Sequence, residues 1–167
     1  MSLLSFLPSL CETIQASRVG TDLRESIFMF PLVETSHVMG LTVSVGLILM
    51  TDLRLIGRVM RSEPASEVMH QLRPWMMAGF ISMFLSGFLL FWAEAAKCYR
   101  SPTFRIKMIF LFLAGVNALF FETGIGRRVA AWDQVDPPRR AKVAGWTSLI
   151  CWTGVIIFGR WTAYGLG

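Results

Sequence analysis

The chain has 167 residues, of which 54% are apolar and 16% charged, with a formal net charge of +5. Soluble domains carry about 25% charged residues, so this composition excludes an ordinary soluble domain. The basic balance does not call for a nucleic-acid partner, because membrane proteins concentrate Lys and Arg in their loops, and no basic stripe with interleaved aromatics is present.

Residues 1–26 read as an N-terminal interfacial segment and residues 27–167 as a four-helix transmembrane domain. Met1 to Leu10 has no basic residue and is broken by Pro8, which argues against a cleaved signal peptide. Leu3, Leu7, Leu10 and Ile14 recur with a helical period, too short to span and suited to lying on the outer leaflet. Gly20, Thr21 and Asp22 mark a turn. Four apolar stretches then predict helices near 27–50, 74–95, 104–122 and 143–162. Pro74 is expected to open the second helix from its first turn. Pro137 and Pro138 break the loop before the fourth. The fold class is therefore an all-α membrane protein, a four-transmembrane-helix bundle with an N-terminal interfacial helix. Cys11, Cys98 and Cys151 are widely spaced and form no metal or disulfide framework.

Loop charge sets the expected orientation. Segments 51–73 and 123–144 together hold nine basic residues, against seven on the other side. The positive-inside rule then makes these two loops cytoplasmic and puts both termini in the periplasm.

Several polar residues interrupt the spans, and lipid cannot satisfy them, so they should face the bundle interior. His37 lies about 15 Å into the first helix at 1.5 Å per residue. Gly40 and Ser44 follow along its face and Glu34 lies one turn outward. A neutral imidazole flanked by small residues offers an iron ligand and room for a porphyrin. The same residues are also what close helix packing uses, and His37 could simply make a polar contact. His70 sits roughly 20 Å or more away along the membrane normal and cannot share one iron with His37. Lys107 enters from the same end as His37; it could ligate iron, pair with Glu34 or a propionate, or snorkel to the interface. Arg160 could hold a propionate as a guanidinium fork. At the other end Asp52, Arg54, Asn117 and Glu122 suggest a polar lock between helices. The methionines form no MxxM or MxM array, which makes copper handling a lesser alternative.

Three stretches carry a family resemblance: Pro31 to Leu41 with Asp52 to Gly57, Pro74-Trp75 with Gly79-Phe80, and Ser101 to Met108. They resemble a family of small bacterial four-helix membrane proteins. More distantly the chain looks like CopD-type copper-resistance proteins and HemJ-type protoporphyrinogen oxidases. That resemblance implies b-type haem on His37, with Lys107 as the matching lysine, in the bacterial inner (cytoplasmic) membrane. The tryptophan-rich segment and the Arg-Tyr-His helix end of the oxidases have no counterpart here. The expectation is thus a b-haem protein of electron transfer, a membrane oxidoreductase if an enzyme. Its partners would be lipid and a quinone or redox protein, in a homo-oligomer or larger complex. The alternatives are a copper or small-solute transporter and a cofactor-free accessory subunit.

Overall fold

The computed structural model describes residues 3–132 and 136–165, and every regular element among them is helical. Helices α1 (Leu3–Gln15) and α2 (Arg18–Glu25) precede α3 (Met29–Ile56), α4 (Ala65–Ala93), the short α5 (Ala95–Arg100), α6 (Pro102–Phe120) and α7 (Arg139–Ala163). A π-helical turn, Phe121–Ile125, and a 3-10 turn, Gly126–Ala131, extend α6. α3, α4, α6 with its π turn, and α7 are each long and apolar enough to cross a membrane. The molecule is a four-helix membrane bundle.

Local chemistry explains where the spans begin and end. Ser26 Oγ accepts the Met29 amide at 3.0 Å and starts α3. Gly57, at φ 83°, ends it in the left-handed conformation that a glycine adopts without a Cβ clash. Ser101 caps α6, accepting the Phe104 amide at 3.3 Å, with Pro102 in the first turn.

Three sequence expectations need correction. α4 starts at Ala65 and runs through Pro74, which is therefore interior rather than initiating. Burial is the reason: Ala65 and Met69 pack with Leu55, Phe121 and Ala141, so tertiary contact draws the polar stretch before Pro74 into the helix. Ala141 in the same cluster explains why α7 begins at Arg139, ahead of the expected start. Finally, Gly20, Thr21 and Asp22 lie within α2, not in a turn. The break comes at Ala16 and Ser17, because Ser17 Oγ accepts the Gly20 amide at 3.3 Å and restarts the helix.

α1 and α2 dock beside α4 and α5. The Trp92 indole donates to Ser17 Oγ at 2.8 Å, the Ala96 amide donates to Gln15 Oε1 at 2.9 Å, and Arg100 pairs with Glu12 at 2.7 Å. Phe6, Leu7 and Leu10 remain exposed, an apolar edge suited to the membrane interface.

Within the bundle α3 packs along α4 and α7, and α6 packs along α7. α4 and α6 do not close the ring in the same way. They meet where the Phe91 and Phe104 rings stack at 5.9 Å, near the end that carries both chain termini. Towards the loop end a groove separates them.

Candidate functional site

His37 is held by α4. Its Nδ1 lies 2.9 Å from the Met83 carbonyl oxygen and 3.2 Å from Ser86 Oγ. A carbonyl only accepts, so Nδ1 carries the proton and Nε2 keeps its lone pair. Gly87 makes room for the ring: a Cβ there would meet His37 Cε1 at 2.9 Å. A backbone carbonyl fixing one imidazole nitrogen is the support that metal-ligating histidines ordinarily have.

Lys107, on α6, is half-buried and close enough to act electrostatically on the His37 ring. Its stem runs along Gly159 of α7, where a Cβ would lie 3.6 Å from the lysine Cδ. Nζ sits 5.9 Å from the centroid of the Phe104 ring, and no carboxylate among the described residues pairs with it.

The other expected members do not join them. Glu34 is exposed and forms no ion pair among the described residues. Arg160 is also exposed; it donates to Tyr164 Oη at 2.8 Å and lies over that ring. Gly40 and Ser44 are taken up by packing. A Cβ on Gly40 would meet the Met83 nitrogen at 2.9 Å, and Ser44 is wholly buried with its hydroxyl on the Gly40 carbonyl at 2.7 Å. Small residues on facing helices bring the backbones together, so the α3–α4 seam has no room for a porphyrin. His70 is exposed, about 20 Å from Met83 along α4 at 1.5 Å per residue.

Among the described residues no three His, Cys, Asp or Glu side chains are grouped as a metal site. The arrangement offers one imidazole with an open nitrogen and one lysine amine nearby. Sequence reading missed the residues that orient this pair, the Met83 carbonyl, Gly87 and Gly159. The signal for Gly87 was present, since it follows Ser86 in a run of small residues on α4.

At the loop end the expected polar lock resolves into separate contacts. Arg54 donates from Nε and Nη2 to the Glu63 carbonyl at 3.0 and 2.7 Å, pinning the α3–α4 loop. Asn117 Nδ2 donates to the Ala144 carbonyl at 3.0 Å, joining α6 to α7. Arg73 pairs with Glu122 at 3.3 Å. Asp52 lies with Ser148 on the wall of the groove between α4 and α6, and its Oδ2 has no partner among the described residues.

No curated protein and no solved structure matches the chain. Residues 25–165 match a family of unknown function, DUF6644. That stretch takes in all four membrane-spanning helices and both polar stations, and the chain belongs to this family.

Proposed function

We propose that this protein binds one b-type haem through His37 and works in electron transfer in the bacterial inner membrane. The observation that carries the reading is the Nδ1 bond to the Met83 carbonyl, which leaves the Nε2 lone pair free to serve as an iron ligand. The imidazole therefore suits the group. Gly40 and Ser44 do not, because their faces are closed against α4. The group would be held by His37 and, from the α6 side, by Lys107 as a ligand or as a counter-charge to a propionate. When bound, haem supplies a one-electron carrier whose potential depends on axial ligand and burial. His37 would hold its iron and Lys107 would supply a positive charge on the α6 side. The nine basic residues of segments 51–73 and 123–144, against seven on the other side, support an orientation with both termini in the periplasm.

A cofactor-free accessory subunit is the second reading, favoured by the tight Gly40–Gly79 seam, which lets His37 serve as a hydrogen-bonded clasp between α3 and α4. One experiment separates the two. The full-length protein is purified in detergent from cells supplied with a haem precursor, and spectra are taken before and after dithionite. The haem reading requires a Soret band and a reduced α-band in the wild type and in His70→Ala, both lost in His37→Ala. A wild type without a Soret band would refute the haem reading, and co-purification with a larger complex would then support the accessory role.

A further inference from the structure

We infer that the groove between α4 and α6 is a binding site for a quinone-class molecule that enters from the bilayer and hydrogen-bonds to Asp52. The cavity is about 600 Å³, within the range of small-molecule sites, and it opens where α4 and α6 stand apart. Phe80 and Phe84 of α4 line one wall, Gly115 and Ala118 of α6 the other, and Trp152 of α7 lies deeper. Flat aromatic and thin glycine surfaces facing each other leave a slot suited to a ring. The lateral opening gives an isoprenoid tail a way out into lipid.

Asp52 determines what head group the slot takes. It is 5% exposed, it lines the groove beside Ser148, and its Oδ2 lacks a partner among the described residues. A carboxyl left unpaired in an apolar setting is costly in either protonation state. A lipid acyl chain would not relieve that cost. A quinone carbonyl accepts from the neutral carboxylic acid, and a quinol hydroxyl donates to the carboxylate. The two redox forms of one ligand thus answer the two protonation states of one side chain. Asp52 also lies on the order of 20 Å from His37 along α3 at 1.5 Å per residue. The site therefore stands whether or not His37 holds haem.

The test is a titration of the full-length protein in lipid nanodiscs with decylubiquinone, followed by quenching of tryptophan fluorescence. Saturable quenching is expected in the wild type. Asp52→Leu is expected to weaken binding about tenfold, the loss of roughly one good hydrogen bond. Gly115→Phe provides a second variant, because Gly115 lines the groove and a Cβ there meets nothing within 4 Å, so the added ring is directed at the slot. It should abolish saturable quenching while helical circular dichroism and melting stay at wild-type values. Quenching that rises linearly in wild type and variants alike would overturn the proposal. So would an Asp52-dependent site that takes tetraphenylphosphonium in preference to the quinone, since that would make Asp52 a counter-ion for lipophilic cations.

Discussion

Gly40 of α3 and Gly79 of α4 touch backbone to backbone: a Cβ on Gly40 would come within 3.0 Å of the Gly79 carbonyl oxygen, and one on Gly79 within 3.1 Å of the Gly40 carbonyl. The same Cβ on Gly79 would be 2.8 Å from the Ser44 amide nitrogen, so neither flexible tips nor rotamer changes can absorb it. This contact sets the spacing of the two helices and, through it, the reach of His37 to the Met83 carbonyl. Gly79→Ala should therefore destabilise the protein by about 1–3 kcal/mol, the usual cost of overpacking. Gly46 on α3 is the control, since a Cβ there meets nothing within 4 Å and alanine favours helix. Unfolding of both variants in one detergent checks the pair; equal melting would show that the seam is loose.

Lys107 separates the two ways in which the α6 side could assist a haem. Arginine retains the charge but does not deprotonate to become a ligand. With Lys107 acting as a charge, Lys107→Arg should keep full haem content and a nearly unchanged spectrum, whereas Lys107→Met should lose haem severalfold. The wild type should already admit carbon monoxide. A six-coordinate low-spin spectrum that opens to carbon monoxide only in Lys107→Arg would make the amine a ligand and reject the charge role.

The four spans were legible because each is a long apolar run, a signal that survives any packing arrangement. Their ends were less so. The helix before Pro74 is built from polar residues such as Glu67, His70 and Gln71, and only contact between Ala65, Met69 and the opposite helices reveals why it is helical. Site reading met a similar limit. His37 and Lys107 stand out as isolated polar groups in apolar runs, and in the structure the lysine charge acts on the imidazole. Glu34 and Arg160 share their depth but not their direction, and depth is all that sequence position supplies. Gly40 and Ser44 show the sharper ambiguity, because small residues beside a histidine read equally as space for a ligand or as a surface for another helix.

Two polar contacts at the loop end should differ in worth. Arg73 and Glu122 are 66% and 48% exposed, so their ion pair is screened and Glu122→Gln should change stability by less than about 0.5 kcal/mol. Asn117 instead crosses from α6 to the Ala144 carbonyl of α7 within a half-buried apolar contact. Asn117→Leu should cost about 1 kcal/mol, the typical value of an interhelical hydrogen bond. Resistance to SDS-induced unfolding measures both; a larger loss in Glu122→Gln would reverse the ranking and give the surface pair the structural role.

Cys98 gives the protein a pH dependence of stability outside the membrane spans. Burial, with a smaller contribution from the Glu94 carboxylate, pushes its thiol from an ordinary 9.0 up to about 11. The folded state thus holds the proton more tightly than the unfolded chain. The stabilisation is fully present below pH 9 and is lost as pH rises through about 11. A shift of this size corresponds to about 3 kcal/mol. Tyrosines and lysines titrate in the same window, so the informative quantity is the difference from Cys98→Ala, which removes this proton alone. Between pH 8 and 11 the wild type should lose stability more steeply than the variant by most of that amount. Below pH 9 the native Cys98 should also resist iodoacetamide, because the thiolate is the nucleophile and is scarce there. Parallel stability curves, together with Cys98 alkylation at pH 8 as fast as in the unfolded chain, would show that the thiol is neither shielded nor coupled to folding.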